Sequence, residues 1–272
     1  MHCRNSDLIN AMGRIILVCR YILLIAVPVF LFSCKKDQVT QPQVLISTYS
    51  GLSITNAAIG INNLHFFVDN RQVLLPDTLS YGNTEFFTIQ NYVYSNVTPY
   101  KDISYGYRQL GFIMPGGDNF LVSFNNYFQS GAKYSIFIAD TISHGQLKYV
   151  LLKDEIGISD STKTQIRFIN LSPDAPAMDV WVFPNAGTYG YKLFSNRPYP
   201  VFDYSSIPGS QVFTGIDAGP YYFVATAAGT YNVLLQGGLI LPGRGVITIY
   251  AKGLLSGTGN NQLDVGVIEF VQ

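Results

Sequence analysis

Residues Gln165–Phe183, QIRFINLSPDAPAMDVWVF, form the stretch that decides the fold, and they read as strand, tight turn and strand. Ile166–Leu171 is a nearly unbroken apolar run. The SPDAP sequence that follows favours a turn, because its two prolines cannot continue a central strand. Met178, Val180 and Val182 then recur at a period of two. This pattern predicts two strands joined by a tight corner, with those three side chains in the core.

A looser version of this pattern occurs earlier in the chain, and two later pieces repeat in the same order. The paired pieces are NLHFFVDN (63–70) with AMDVWVFPN (177–185), SGAKYSIFIAD (130–140) with PGRGVITIYAK (242–252), and LKYVLLKDE (147–155) with LDVGVIEFV (263–271). Three matches in one order indicate a tandem duplication. Leu64, Phe66 and Val68 then correspond to the three core residues named above.

Composition supports a β-rich fold, since 14% of the 272 residues are aromatic and only 12% are charged. Many short strand-like runs alternate with turn signals, which predicts an antiparallel sandwich or barrel. Gly51–Asn56 reads as a break after a first strand, and Gly237-Gly238 reads as a hairpin loop. The formal net charge is zero, so nothing indicates a nucleic-acid partner.

The domain boundary is predicted in Lys153–Thr162, the most polar stretch of this region. It separates a first module at residues 44–158 from a second module at residues 163–272. Both modules are long enough to bury a core of their own. All three cysteines lie at or before residue 34, so the predicted modules contain no disulfide and no cysteine metal site.

Residues 1–33 read as an export signal, in which Met12 opens a more typical leader than Met1. Tyr21–Phe32 is an apolar run too short to span a bilayer comfortably. Its end, Leu-Phe-Ser-Cys34, resembles the bacterial lipobox, which implies cleavage before Cys34 and acylation of that residue. The alternative is an ordinary signal anchor with a chance cysteine. Several acyl chains on Cys34 would make a durable membrane anchor.

The residues after Cys34 extend the resemblance to lipoproteins. The sequence SCKKD is similar to that of many Bacteroidetes lipoproteins, and lysine directly after the cysteine favours the outer membrane by resemblance to lipoprotein sorting rules. Residues 34–43 comprise the lipidated cysteine and a polar, flexible tether. We therefore expect an outer-membrane lipoprotein, and the sequence leaves open whether it faces the periplasm or the cell surface.

The stretch IRFINLSPDAPAMDVWV resembles the signature of the DUF4397 domain, with its strand, SPDAP turn and second strand. The second module resembles the family clearly; the first is divergent, because Ser53–Asn63 replaces the SPDAP turn. The resemblance implies two tandem immunoglobulin-like β-sandwich domains on a bacterial envelope protein. It implies no catalytic residue, since none is established for the family.

Catalytic, cofactor and metal sites are not predicted. His65 and His144 have no second histidine near them, and the second module contains no histidine that could serve a catalytic triad. Asp174 and Asp179 flank the proline turn without the clustered carboxylates that calcium requires. The expected role of Asp174 is an Asx hydrogen bond within the turn.

Aromatic residues are the surplus from which a ligand site is predicted. Tyr92, Tyr94 and Tyr100 fall in a loop-like part of the first module, and Tyr189, Tyr191 and Tyr199 fall in the corresponding part of the second. Tyrosines on loops suit sugar stacking or protein contact. The second group and Trp181 form the predicted ligand-binding set. The alternative is that these rings cover sandwich rims and edge strands.

Together these features predict a lipid-anchored envelope protein with a non-catalytic binding or structural role and no cofactor. Its expected partners are the membrane, through acyl chains on Cys34, and a glycan or an envelope protein. One alternative is a glycan-binding surface lipoprotein of a polysaccharide-uptake system. An alternative in another class is a hydrolase whose carboxylates converge only in three dimensions.

Overall fold

The computed structural model describes residues 48–73, 100–142, 147–157, 160–184, 189–199 and 212–270. The predicted signal peptide, Cys34 and the tether lie outside the described residues. His144, Tyr92 and Tyr94 lie outside them as well. The sixteen described strands belong to residues 46–272, which form one compact unit.

The first half of this unit contains eight strands: β1 (Tyr49–Asn56), β2 (His65–Val68), β3 (Arg71–Val73), β4 (Lys101–Ser104), β5 (Gly106–Ile113), β6 (Val122–Phe128), β7 (Lys133–Ala139) and β8 (Lys148–Lys153). They form two sheets, with strand orders β4-β1-β7-β8 and β3-β2-β5-β6. We call these the first inner sheet and the first outer sheet.

The second half also contains eight strands: β9 (Lys163–Asn170), β10 (Met178–Pro184), β11 (Tyr191–Arg197), β12 (Thr214–Asp217), β13 (Gly219–Ala227), β14 (Val233–Leu241), β15 (Val246–Lys252) and β16 (Asp264–Phe270). The second inner sheet has the order β12-β9-β15-β16, and the second outer sheet has the order β11-β10-β13-β14. The two halves therefore share one strand order, with each strand of the first half eight places before its counterpart.

An all-β fold built from sandwiches is confirmed, and its sheets are mixed rather than purely antiparallel. In each inner sheet one pair is parallel, β1 with β7 and β9 with β15. The other strand pairings are antiparallel. The parallel pairs join strands that are far apart in sequence, which local turn signals cannot reveal.

Three hydrophobic clusters show that the four sheets are stacked as layers. One cluster fills each sandwich, and a third lies between the two inner sheets, where Phe137 of β7 meets Tyr250 of β15. Their ring centroids are 5.7 Å apart. The inner sheets are thus covered on both faces, and this explains why strands such as β7 and β15 are apolar along nearly their whole length.

A buried polar network crosses the same contact between the halves. The Arg167 guanidinium donates to Asp154 Oδ1 at 2.6 Å, to Ser135 Oγ at 2.9 Å and to Thr248 Oγ1 at 2.8 Å. Asp154 also accepts from Ser135 at 2.6 Å and from the Tyr100 hydroxyl at 2.8 Å. Both side chains of the ion pair are at most 1% exposed. The network therefore ties the end of β8 to β9 across the junction.

Two local predictions are wrong. Gly51–Asn56 does not break the first strand, because it forms most of β1, where a Cβ on Gly51 would lie 2.9 Å from Tyr100 Cβ. Gly237-Gly238 is not a hairpin loop, because both glycines pair with β13 inside β14. In each case pairing with neighbouring strands outweighs the low intrinsic tendency of glycine to form strands.

The corner that follows β9, which contains SPDAP, has a counterpart after β1 with the same local hydrogen bond but a different sequence. At the end of β9, Asn170 Oδ1 accepts a hydrogen bond from the Ser172 N–H at 3.1 Å. At the end of β1, Asn56 Oδ1 accepts from the Ala58 N–H at 3.0 Å. These asparagines, rather than Asp174, therefore make the Asx-type bonds that open both corners.

Asp174 instead fastens the corner to a distant loop. Its carboxylate accepts hydrogen bonds from the Leu255 N–H at 2.6 Å, and from the Ser256 N–H at 2.9 Å and hydroxyl at 2.7 Å. That loop connects β15 to β16 and includes a 3-10 turn at Gly259–Asn261. Burial alone would raise the pKa of Asp174, but these hydrogen bonds outweigh it and the pKa is lowered. The residue is a structural clamp.

Candidate functional site

The predicted ligand-binding set does not form one surface. Trp181 lies on the solvent side of the second outer sheet, where Lys192 Nζ sits 5.0 Å from the centre of its ring. Tyr191 pairs with Val182 on the neighbouring strand, so it projects to the opposite side of that sheet. There its hydroxyl hydrogen-bonds with Tyr221. The ligand-binding role of these residues stays a prediction.

The other two members of the set flank opposite ends of β11. Tyr189 is 89% exposed just before β11. The Tyr199 hydroxyl is 3.2 Å from Asp140 Oδ2, and Lys148 Nζ lies 5.1 Å from the centre of the Tyr199 ring. Tyr199 therefore contacts the first half, in the manner of a residue that joins the two sandwiches.

The structure shows an aromatic surface elsewhere, on the solvent face of the first outer sheet. Tyr107 of β5 and Tyr127 of β6 are directly opposite each other, with ring centroids 5.0 Å apart in an edge-to-face arrangement. Tyr107 is 77% exposed and Tyr127 is 49% exposed. Gln109 and Asn125 form the next pair on the same face. We call these four residues the tyrosine platform.

A second aromatic pair continues this face beyond the amide pair. Phe67 and Phe120 meet edge to face with centroids 5.6 Å apart. The Phe120 ring lies over Gly111, where a Cβ would be only 2.2 Å from the ring. Gly111 is needed for this close approach. From Tyr107 to Gly111 the strip extends about 13 Å along β5, since strands rise about 3.3 Å per residue.

Arg108 holds the corner that carries Tyr107. Its guanidinium donates to three backbone carbonyls, those of Ser104 at 3.1 Å, Tyr105 at 2.9 Å and Tyr107 at 3.0 Å. The corner turns at Gly106, whose φ of +99° favours glycine. The platform is therefore preorganised, because the backbone under its most exposed ring is fixed before any ligand arrives.

The β2–β3 hairpin closes one side of the same face. Asp69 and Asn70 both have positive φ, as a type I′ turn requires. Asp69 Oδ1 accepts a hydrogen bond from the Gln109 N–H at 3.0 Å, and Asp69 Oδ2 lies 3.5 Å from Arg108. Asp69 and Arg108 are thus engaged with each other and with the backbone, and the platform itself consists of uncharged side chains.

Sequence reasoning missed the platform, although a signal was present. Tyr107 and Gln109 alternate along β5, and Asn125 and Tyr127 alternate along β6. This period of two places each set on one face. The sequence does not reveal that the two sets are neighbours, because the β5–β6 register is a property of the folded sheet.

The buried aspartates of the described residues are held in ion pairs, whereas burial raises the pKa of Glu269. The three buried aspartates each face a cation, Asp140 with Lys148 at 2.8 Å, Asp154 with Arg167, and Asp179 with Lys192 at 2.6 Å. Burial alone would raise the pKa of Asp179, but Lys192 and two backbone N–H groups outweigh it and lower the pKa. A general acid needs the opposite shift.

The described residues contain neither a group of metal ligands nor a membrane-spanning helix. Within the described ranges, no three His, Cys, Asp or Glu side chains are grouped so as to hold a metal ion. His65 lies in β2 without such partners. Nor does that part of the chain contain a helix long and apolar enough to span a bilayer.

Comparison with known families gives one match. Residues 50–181 match DUF4397, a domain of unknown function. The matched region starts in β1, covers the first sandwich and ends at Trp181 in β10, so it includes the SPDAP corner. It lies mainly in the first half, where the sequence predicts the weaker resemblance. No curated protein matches the chain.

Three solved structures show distant likenesses to this chain. The Bacillus anthracis TIE protein is 13% identical, with a TM-score of 0.22 over 75% of this chain, and the chain spans only 34% of its length. A family 41 carbohydrate-binding module from streptococcal virulence factors, studied for alpha-glucan recognition, is 10% identical, with a TM-score of 0.24 over 75% of this chain and 93% of its own. An alpha-glucan-binding streptococcal virulence factor is 8% identical, with a TM-score of 0.23 over 81% of this chain and 96% of its own. We draw no functional conclusion from these likenesses.

Proposed function

We propose that this protein is a lipid-anchored, non-catalytic binding protein of the bacterial envelope that holds carbohydrate on the tyrosine platform. The observation that carries the proposal is the exposed Tyr107–Tyr127 pair, placed beside Gln109 and Asn125 on one face of the first outer sheet. A contiguous exposed aromatic patch of this kind is typical of a binding surface.

The chemistry of the platform fits a sugar. A tyrosine ring offers a broad apolar face for the C–H side of a pyranose, while its hydroxyl stays available for hydrogen bonding. The amides of Gln109 and Asn125 each contribute donors and an acceptor, which suit the hydroxyl groups around a sugar ring. Rigid aromatic residues on a preorganised backbone lose little entropy on binding.

The second half supports a duplicated architecture. Its strand order repeats that of the first half, and Asn56 and Asn170 open equivalent corners. We therefore propose that each half is a copy of one domain. The copies differ on their outer faces, because strand pairing sets Phe67 beside Gly111 in the first half and Trp181 beside Val224 in the second. The platform is proposed for the first copy alone.

Substitution of either platform tyrosine tests the binding proposal. In titrations against a panel of polysaccharides, Tyr107→Ala and Tyr127→Ala should each weaken binding about tenfold, which corresponds to about 1.4 kcal/mol. Tyr231→Ala is the matched control, because Tyr231 is 89% exposed outside the platform. The control should bind as the unaltered protein does.

Two results would count against this proposal. Absence of binding to every glycan in the panel would favour an envelope protein as the partner. Binding that survives both platform substitutions but is lost in Tyr189→Ala or Trp181→Ala would move the site to the residues predicted from the sequence.

The anchor is tested by a separate substitution. Replacing Cys34 by alanine should abolish incorporation of a labelled fatty acid and release the protein from the membrane fraction, because Cys34 is the proposed acylation site. The protein that retains Cys34 should stay in the membrane fraction, because its acyl chains anchor it. Labelling that persists in Cys34→Ala would refute the lipobox interpretation.

A further inference from the structure

Strand β14 is an edge strand of the second outer sheet. It spans Val233–Leu241, VLLQGGLIL, and pairs with β13 on one side. In the described part of the chain no strand pairs with its other side. At nine residues it is the longest of the eight edge strands in the four sheets. An edge of this kind presents unpaired N–H and C=O groups that can template another strand.

The other edges carry the usual protection against such pairing. The edge strands β3, β4, β8, β11, β12 and β16 each contain at least one Lys, Arg, Asp or Glu. Charged side chains on an edge discourage pairing with another chain. Strand β6 has no charge, but Ser123, Asn125 and Tyr127 give its exposed positions polar character. Strand β14 has neither charge nor proline and only one polar side chain, Gln236.

The sequence of β14 is compatible with pairing to itself. The pairing of β14 with β13 is irregular only near its start, between Val233 and Leu235. Residues Leu235–Leu241 pair regularly with β13. Leu235, Leu239 and Leu241 point into the sandwich, whereas Gln236 is exposed. An antiparallel pairing with its two-fold axis at Gly237 or Gly238 would set leucines against leucines on the core side.

We propose that β14 is a self-association edge that pairs antiparallel with β14 of a second copy of this chain. The contact is isologous, as expected for a two-fold dimer. It joins two second outer sheets into one continuous eight-stranded sheet by β-strand addition. This proposal is independent of carbohydrate binding, because the tyrosine platform lies on the first outer sheet and leaves β14 free.

Sedimentation equilibrium of the detergent-purified full chain tests the proposal. The unaltered protein should show a concentration-dependent monomer–dimer equilibrium. In Gln236→Lys/Gly238→Lys, like charges face each other across either axis, so the dissociation constant should rise at least about tenfold. Both positions tolerate lysine in the monomer, because Gln236 is exposed and a Cβ on Gly238 meets no atom within 4 Å. Because salt at about 1 M screens charges beyond about 3 Å, it should restore much of the association.

The matched control places the same charge on the opposite edge of the same sheet. Ser195 is exposed on β11, which already carries Lys192 and Arg197, so Ser195→Lys should associate like the unaltered protein. A protein that stays monomeric at every concentration would overturn the proposal. It would be overturned equally by a double-lysine variant that dimerises as tightly as the unaltered chain.

Discussion

Replacing Arg167 by methionine should lower the free energy of unfolding by about 3–5 kcal/mol, because the substitution leaves the Asp154 carboxylate buried without its cation. The pair is joined at 2.6 Å, and neither side chain is more than 1% exposed. Asp154 would keep only the hydroxyls of Ser135 and Tyr100 as donors. The measurement is denaturant-induced unfolding followed by far-UV circular dichroism.

An exposed ion pair of the same length provides the control. Lys163 and Asp217 are also 2.6 Å apart, but their side chains are 43% and 71% exposed. Lys163→Met should therefore destabilise the protein far less than Arg167→Met does, since solvent already screens this pair. Equal losses in the two variants would show that burial does not determine the contribution of Arg167.

The double variant Arg167→Met/Asp154→Leu separates the pair from its burial. We expect it to be more stable than Arg167→Met alone, because no unpaired charge remains in the junction. The recovery should be incomplete, because Ser135 and Tyr100 lose a hydrogen-bond acceptor. A double variant that is less stable than the single variant would contradict this account of the network.

Replacing Phe137 by alanine should lower the free energy of unfolding by about 3–5 kcal/mol, because it removes a buried ring and leaves a cavity. Phe137 is fully buried, and it belongs to the cluster between the inner sheets rather than to either sandwich core. Its loss therefore removes contacts that couple the two halves. We expect unfolding to become less cooperative as well as easier.

The single tryptophan makes this loss of cooperativity measurable. Trp181 lies in the second outer sheet, so its fluorescence reports the second half, while circular dichroism reports both halves. In the unaltered protein the two transitions should coincide, as expected for one cooperative unit. In Phe137→Ala they should separate. Phe137→Leu keeps an apolar side chain there and should leave the transitions together; separate transitions in the unaltered protein would refute the coupling.

Much of the fold could be predicted from local pattern. The face formed by Met178, Val180 and Val182 is buried as predicted, and so are Leu64 and Phe66 in the first half. Strand β7, Lys133–Ala139, lies within the repeated piece SGAKYSIFIAD (130–140). These predictions succeed because the alternation of side chains along a strand is fixed by backbone geometry. The short strand β3 and the edge strand β11 were missed, because pairing rather than composition creates them.

The candidate site was less accessible to prediction. The abundance of tyrosine in predicted loops favours a ligand site there, yet the structure assembles the platform from Tyr107 and Tyr127 on neighbouring strands. The apolar run Ile166–Leu171 predicts an ordinary core strand, and nothing in its pattern gives Arg167 a partner. A charged residue in an apolar run is explained only by a partner, and the partner Asp154 belongs to the stretch predicted as a polar linker.

The sequence by itself determined the β-rich architecture and the SPDAP corner, because each follows from residue pattern along the chain. Only the tertiary structure decided that the two sandwiches share a buried junction, and that β5 and β6 bring two exposed tyrosines together. The physical reason is that strand register and sheet stacking depend on contacts between residues distant in sequence, whereas periodicity records only which face each residue occupies. Gln165–Phe183 illustrates both. The alternation of residues in β10 predicts which side chains enter the core, whereas the burial of Arg167 in β9 depends on Asp154 from the first half of the chain.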